Sequence, residues 1–340
     1  MKNLLLKILQ NICYKLKTVS RKRFILTFSV LVSVIILSLT IFLFMDYWFF
    51  LEVFIGGLLS GVMYSLVALG FVLIFKASGV FNFAQGAMVL FAALTFIRLV
   101  EYGVPMIGAA ILTMMVMVVL AIVVERLVLR PLVNQDLIIL FMATIGLNYF
   151  IEGMAQTVWD SDVHVMNLGI DEYAVFEVGQ AFINKFDVMA ACVAGGLVVV
   201  LALFFQYTAV GRALRAVADD HQGALSVGIP LRHIWIYVWT TAGLVALVAG
   251  LVWGSKLGVQ FALSSVALKA IPVLIIGGFT SIPGAIIGGL IVGSGEKIAE
   301  VYLGPFVGGA IENWFPYMLA MVVLMIRPQG LFGEKIIERV

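Results

Sequence analysis

The stretch "GVFNFAQGAM", residues 79–88, lies between two long apolar segments. It carries two amide side chains, Asn82 and Gln85, where a helix facing lipid would present hydrocarbon. Because an amide left unpaired in hydrocarbon is costly, the sequence predicts that both amides face the interior of a helical bundle. Gly79 and Gly86 are expected to let a broken backbone approach a neighbouring helix. We therefore expect Asn82→Leu or Gln85→Leu to impair assembly or function.

The composition of the chain identifies an integral membrane protein. Of its 340 residues, 63% are hydrophobic and only 12% are charged, and the mean hydropathy is +1.14. Soluble domains are roughly half apolar and about one-quarter charged. The net charge of +2 is too small to indicate a nucleic-acid partner, whereas membrane lipid is an expected one.

Apolar segments recur along the whole chain and predict an all-α polytopic transmembrane bundle of about eight to ten helices. The ten predicted spans are 24–45, 50–75, 81–100, 105–124, 137–158, 187–207, 234–254, 266–279, 283–299 and 315–327. The pair around "GGFTSIPGAIIGG" is interrupted by Gly, Ser and Pro. These two segments are therefore either full crossings or half-length segments that meet inside the membrane.

The distribution of basic residues predicts the domain organisation and the orientation. Residues 1–48 are a basic arm with an extra first helix, 49–333 are the main bundle, and 334–340 are a tail. With both termini in the cytoplasm, all but five of the 21 lysines and arginines lie on the inner side, as positive-inside orientation requires. The five exceptions are Arg98, Lys185, Lys256, Lys269 and Lys297.

A stripe of polar side chains runs along the segment 137–158. Thr144, Asn148, Glu152 and Gln156 recur at four-residue spacing, which places them on one helix face. Such a stripe must face protein or water. Two interpretations stay open: hydrogen bonding between helices, or the wall of a substrate path, for which Glu152 is the strongest indication.

Small residues are concentrated in an early and a late segment, and close helix packing is expected for most of them, with hinges as the alternative. They are Gly56, Gly57, Ser60, Gly61, Ser65 and Gly70, and then Gly284, Gly288, Gly289, Gly293 and Gly295.

The predicted inner loop 211–235 is typical of a short amphipathic helix. It either lies on lipid headgroups or binds a protein partner. Its acidic side chains favour the protein partner, because they would be repelled by an anionic membrane surface. The predicted docking face is Ala213, Leu214, Val217 and Leu225, with Arg212, Arg215, Asp219 and Asp220 around it.

No constellation for chemistry is apparent. The three histidines are scattered without metal-ligand spacing, and "GSGEK" at 293–297 only superficially resembles a phosphate-binding loop. The sequence therefore predicts a protein that is not an enzyme and that needs no metal or cofactor. Any ATP hydrolysis must belong to another polypeptide.

Three motifs, "GVFNFAQGAM", "GRALRAVADD" with the later "GI", and the terminal "RPQGLFG", together resemble the permease subunits of branched-chain amino acid ABC importers of the LivH type. The resemblance covers nearly everything from about residue 49 onward. It implies a multi-pass protein of a prokaryotic plasma (inner) membrane. It also implies three kinds of partner subunit: two ATP-binding subunits, a second permease subunit and an extracytoplasmic solute-binding protein.

In that family-based interpretation two sets of residues carry the function. The candidate translocation path contains Asn82, Gln85, Thr144, Asn148 and Glu152. The candidate element that couples to the ATPase contains Arg212, Arg215, Ala216, Asp219, Gly223 and Gly228.

The expected function is ATP-driven import of branched-chain or related hydrophobic amino acids. The family often carries an acid directly after Gly86, whereas Ala87 and Met88 follow here. This departure points to a less polar path, and to a more apolar amino acid, an aromatic acid or an amide as solute. The alternatives are a stand-alone secondary carrier or channel, which would respond to an ion gradient, and a membrane-embedded assembly factor or enzyme.

Overall fold

A computed structural model describes residues 47–132, 135–160, 162–166, 169, 174–219, 221–226, 228 and 231–333. The first predicted span, 24–45, and the tail 334–340 lie outside the described residues. The chain divides into two compact units. One is formed by Val53–Val178 and Phe182–Val340, and it holds every site discussed below. The other is Met1–Glu52 with Gly179–Ala181.

The described residues are predominantly helical, as predicted. The α-helices are α1 (Tyr47–Ser78), α2 (Gln85–Glu101), α3 (Met106–Val124), α4 (Leu137–Trp159), α5 (Lys185–Tyr207), α6 (Ala209–Asp219), α7 (His221–Ser226), α8 (Leu231–Leu257), α9 (Val266–Gly277), α10 (Ile282–Val307) and α11 (Phe315–Ile326). A π-helical turn (Glu125–Leu129) and a 3-10 turn (Arg130–Leu132) follow α3, and further 3-10 turns are Phe261–Ser265 and Ile311–Asn313. Strands β1 (Val175–Val178) and β2 (Ala181–Asn184) form a two-stranded sheet.

Each predicted span within the described residues coincides with one of these helices. Six helical segments in this part of the chain are long and apolar enough to cross a membrane. They are Tyr47–Ser78, Met106–Leu132, Ile138–Trp159, Lys185–Tyr207, His233–Leu257 and Ile282–Val307. The prediction of an all-α polytopic bundle is confirmed.

The interrupted pair of segments is unequal in length. The helix α9 has 12 residues and α10 has 26. At 1.5 Å per residue, α9 reaches about 18 Å and α10 about 39 Å, against a hydrocarbon core of about 30 Å. Thus α10 can cross completely and α9 alone cannot.

Side-chain caps mark the start of two helices, α5 and α10. The side chain of Asn184 accepts hydrogen bonds from the backbone N–H groups of Phe186 (2.8 Å) and Asp187 (3.3 Å) at the start of α5. Ser281 accepts one from the N–H of Gly284 (3.0 Å) at the start of α10. Such caps satisfy N–H groups that the first helical turn leaves free.

Glycines hold α1 against α10. A Cβ on Gly61 would lie 2.5 Å from the carbonyl oxygen of Gly289, and one on Gly57 would lie 2.7 Å from the Cα of Ser294. Only residues without side chains allow the two backbones to come this close. The prediction of close packing is confirmed for these positions.

The terminal motif "RPQGLFG" pairs with the end of α9. The backbone N–H of Leu331 donates to Ile276 (2.7 Å), and that of Phe332 donates to Gly277 (3.0 Å). Gly278 has a φ of 104° and Gly330 one of 76°, a region that favours glycine. The motif therefore fixes the turn between α9 and α10.

An ionic cluster joins the last turn of α2 to the residues that follow α4. Arg98 of α2 pairs with Glu101 and Asp160, and His164 contacts the same two carboxylates at 2.9 and 3.3 Å. Partial burial acts to raise the pKa of Glu101, the last residue of α2. Hydrogen bonds from His164 and Arg98 and their charges outweigh it and lower that pKa below its ordinary value.

The loop that carries His164 also pairs with the chain after α8. His164 and Val259 exchange backbone hydrogen bonds of 3.0 and 2.8 Å. The last turns of α2, α4 and α8 therefore lie on one side of the bundle, which agrees with the predicted alternation of the spans.

Candidate translocation cavity

The segment between α1 and α2 is a break in helical structure, and both predicted amides are buried in it. The helix α1 ends at Ser78 and α2 begins at Gln85. Gly79 has a φ of 70° with open space around it, so its role is conformational rather than the close approach expected from the sequence. Asn82 and Gln85 are both fully buried.

The two amides differ in their bonding. The side-chain oxygen of Asn82 accepts the backbone N–H of Ala84 (3.1 Å), and its nitrogen contacts the sulfur of Met88 (3.8 Å). Gln85 packs against Gly70, and neither atom of its amide has a hydrogen-bond partner among the described residues. Asn82 thus closes a turn, whereas Gln85 fills space.

Gly86 makes the close approach that the sequence predicts. The carbonyl oxygen of Ser264 occupies the place where a Cβ on Gly86 would lie. The start of α2 is thereby held against the 3-10 turn Phe261–Ser265.

The polar stripe of α4 begins with a bond to the broken segment. The hydroxyl of Thr144, which is buried, donates to Phe81 (3.1 Å) or to Phe141 (2.9 Å). The next two stripe residues, Asn148 and Glu152, are half-buried, and Gln156 is exposed. The stripe therefore has two parts: Thr144 bonds to the segment between α1 and α2, and the side chains further along lie in the wall of a cavity. Whether that wall belongs to a substrate path stays a prediction.

A cavity of about 370 Å³ lies where the stripe meets the broken segment. Its polar lining comes from Asn148, Glu152 and two serines, Ser264 and Ser265. Its apolar lining comes from Phe71, Phe81, Phe83, Gly86, Ile145, Tyr149, Ala267, Leu268 and Ile271. We call it the aromatic cavity.

Stacked rings build one wall of the aromatic cavity. The rings of Phe71 and Phe81 lie parallel with centroids 4.6 Å apart, and Phe83 meets Phe81 edge to face at the same distance. Such pairs are stabilising and hold their rings in fixed orientations. Of the five predicted path residues, the structure places Asn148 and Glu152 in the lining. Thr144 supports it through Phe81, and Asn82 and Gln85 lie behind it.

The predicted coupling loop forms two helices, α6 and α7, that are anchored to the end of α5. Arg215 donates to the carbonyl oxygens of Phe205 (2.6 Å) and Gln206 (3.2 Å), and Arg212 donates to that of Tyr207 (3.1 Å). These bonds satisfy carbonyl groups that the last turn of a helix leaves free.

Three of the other coupling candidates lie on or near the surface. Ala216 and Gly223 are half-buried, and Gly228 is exposed with a φ of 82°. Asp219 is the last residue of α6.

The docking face predicted for this loop is wrong in part. Leu214 and Val217 are 1% and 0% exposed, because they pack into the core of this chain. Amphipathic periodicity shows that a helix has an apolar face, but not whether that face meets its own chain or another.

Sequence reasoning missed a charged network between α9 and α10. Lys269 pairs with Glu296 (3.2 Å), which also accepts the hydroxyl of Tyr64 (3.1 Å). Glu312 lies 3.8 Å from Lys269 and 3.7 Å from Lys297. The available signal was that Lys269 and Glu296 are charged residues within predicted spans.

These features define a multi-pass helical membrane protein with an aromatic cavity beside the break between α1 and α2. Comparison with known families then identifies it further. Residues 53–327 match the family described as "Branched-chain amino acid transport system / permease component", and the chain belongs to that family.

Relatives in that family align over most of the chain. LivH of Escherichia coli K12, a high-affinity branched-chain amino acid transport permease protein, is 27% identical over 309 residues, 87% of this chain and 99% of that protein. BraD of Pseudomonas aeruginosa is 26% identical with the same coverage. A probable LivH of Methanocaldococcus jannaschii is 27% identical over 82% of this chain and 91% of its own length. Among solved structures, PsaBC from Streptococcus pneumoniae in complex with Fab matches with 13% identity and a TM-score of 0.46, covering 82% of this chain and 92% of that one.

Proposed function

We propose that this chain is the permease subunit of an ATP-driven importer for branched-chain or related hydrophobic amino acids in a prokaryotic inner membrane, with both termini in the cytoplasm. It forms the path together with a second permease subunit, and it works with two ATP-binding subunits and an extracytoplasmic solute-binding protein. The bundle proper is 49–333. The observation that carries the proposal is the aromatic cavity.

The lining of the aromatic cavity matches a small solute with an apolar side chain. Rings and aliphatic side chains make most of its surface, and Asn148 and Glu152 stand on one wall. Pockets that are mainly apolar with a few placed polar groups are typical of small-molecule binding. A half-buried carboxylate within a membrane helix is hard to explain by packing alone.

Uptake of labelled L-leucine by the transporter, expressed with its ATP-binding, second permease and solute-binding subunits, tests the path. Asn148→Leu and Glu152→Gln should each lower uptake on the order of tenfold, because each removes one polar contact with the solute. The matched control is Gln156→Leu on the same stripe, where the side chain is exposed outside the cavity. Normal uptake by both cavity variants would contradict a path along this wall.

Energy from ATP must reach the path through a rigid element, and α6 is suited to this. Its arginines donate hydrogen bonds to the last carbonyl groups of α5. A displacement of α6 therefore also moves α5. With Leu214 and Val217 turned inward, the surface left for a partner includes Arg212 and the small residues Ala216 and Gly223.

Enlarging the small residues of the coupling element should stop transport and weaken the contact with the ATP-binding subunits. Ala216→Arg or Gly223→Glu should abolish uptake and weaken co-purification of the ATP-binding subunits, because a bulky side chain holds two packed surfaces apart. Leu127→Arg is the control. Leu127 is 69% exposed and lies in 125–136, the predicted inner loop between the spans 105–124 and 137–158. Normal uptake in both variants at normal expression would refute the coupling role. Uptake without the ATP-binding subunits would instead support a stand-alone carrier.

A further inference from the structure

A second cavity, of about 190 Å³, lies between α1, α8, α9 and α10. Its lining includes Tyr64, Trp253, Lys269, Glu296 and Lys297. We call it the charged cavity. It is distinct from the aromatic cavity, although Ser265 lines both.

Two buried polar atoms of the charged cavity have no partner among the described residues. One is the Oε2 oxygen of Glu296, a residue that is 2% exposed; the other is the indole Nε1 of Trp253, which is 5% exposed. A buried polar atom without a hydrogen bond costs about 1–3 kcal/mol, and more when it is charged. Both residues line the charged cavity, so its wall contains one strong acceptor and one donor that still lack hydrogen-bond partners.

Tyr64 fixes these two groups with respect to each other. Its ring stacks on that of Trp253, with centroids 5.0 Å apart, and its hydroxyl donates to the Oε1 oxygen of Glu296 (3.1 Å). Lys269 donates to the same Oε1 oxygen (3.2 Å), so both known partners of Glu296 lie on one oxygen. The other oxygen, Oε2, is held in place and has no hydrogen-bond partner among the described residues.

The charges of the cavity select the class of ligand. Lys269 and Lys297 are balanced by Glu296 and Glu312, and Lys256 is held by Asp187 at 2.7 Å. A net anion or cation would upset this balance, and the lysines oppose a metal ion in particular. A zwitterion, which brings one charge of each sign, does not.

We propose that the charged cavity binds the α-ammonium and α-carboxylate groups of an amino acid. The ammonium group donates to Glu296, and the carboxylate accepts from Trp253 and Lys297. The volume equals that of roughly six waters at about 30 Å³ each, which accommodates the five non-hydrogen atoms of an amino acid backbone. This proposal rests on the proposed function for its class of solute.

The location suits a point of entry. Trp253 and Lys256 are in the last turns of α8, and Lys297 and Glu312 are 40% and 36% exposed at the mouth. The predicted topology places this end outside, where a solute-binding protein would release its cargo. The aromatic cavity would then bind the apolar side chain of the amino acid further along the path.

The test is binding of tritiated L-leucine to the purified full-length chain in lipid nanodiscs. Glu296→Gln and Trp253→Phe should each weaken binding about tenfold or more, since each removes one hydrogen bond. Glu296→Gln keeps the shape of the side chain, whereas Trp253→Phe also removes one ring of the indole. Trp239→Phe is the control, because it removes the same indole group from the same helix outside the cavity. Two leucine fragments should compete poorly: 4-methylpentanoate, which lacks the ammonium, and 3-methylbutylamine, which lacks the carboxylate.

The proposal would be overturned if the wild-type chain did not bind leucine, or if both cavity variants bound leucine as tightly as the wild type. Water would then be the occupant of the site. Equally strong competition by either fragment would also overturn it, because recognition would then not need both charges. The uptake assay of the assembled transporter is independent of this result. Uptake of leucine without binding in the charged cavity would refute this inference alone, and binding without uptake would refute the proposed function.

Discussion

The two cavities of this bundle are built from opposite kinds of side chain. The aromatic cavity is lined by rings and aliphatic groups with Asn148 and Glu152 on one side, whereas the charged cavity is lined by paired lysines and glutamates. Orphaned polar atoms are part of the lining only in the charged cavity, as far as the described residues show. Under the two proposals, the charged cavity recognises the fixed polar groups of the solute and the aromatic cavity binds its apolar side chain.

The walls of the cavities also depend on different parts of the structure. Tyr64 on α1 reaches Glu296 on α10 because glycines let these helices approach. Phe81 and Phe83 are placed by the break between α1 and α2, which Asn82 closes. Substitutions in one wall should therefore disturb one cavity more than the other.

The largest effect is expected where α1 meets α10. Gly61→Ala should destabilise the protein by on the order of 3 kcal/mol, because its Cβ would lie 2.5 Å from the backbone of Gly289. Thermal unfolding in mild detergent measures this, and leucine binding in the charged cavity should be lost with it.

Gly56→Ala is the matched control on the same helix, since a Cβ there has no neighbour within 4 Å. It should be neutral or slightly stabilising, because alanine is the better helix former. If both alanine variants unfolded at the wild-type temperature, the tight contact between α1 and α10 would not hold the wall of the charged cavity.

A smaller effect on stability and uptake is expected at the two amides beside the aromatic cavity, and it should differ between Asn82 and Gln85. Asn82→Leu should cost about 1–2 kcal/mol and lower uptake, because it leaves the buried N–H of Ala84 without its acceptor. Gln85→Met keeps the length of the side chain and removes an amide that has no partner, so its stability should be unchanged or higher.

Thermal unfolding and uptake of the two variants, measured side by side, distinguish the roles of the amides. Equal losses in both would restore the expectation from sequence that the two amides act alike. Losses confined to Gln85→Met would mean that Gln85, and not Asn82, makes the contact on which the aromatic cavity depends.

The sequence by itself determined the class of protein, the positions of the described helices and the family motifs. Apolar runs, breaks at Gly79 and Pro283, and the spacing of Thr144 and Asn148 are local features, and local features specify helices and their faces. The burial of both amides also followed from a local argument, because a polar group cannot face lipid.

Only the tertiary structure decided which of these groups have partners. Tyr64 and Glu296 are 232 positions apart, and nothing in either segment encodes their hydrogen bond. The inward direction of Leu214 and the unpaired amide of Gln85 are likewise set by neighbours from other helices. Hydrophobic pattern specifies that a face is buried, but the packing of distant helices decides what it is buried against.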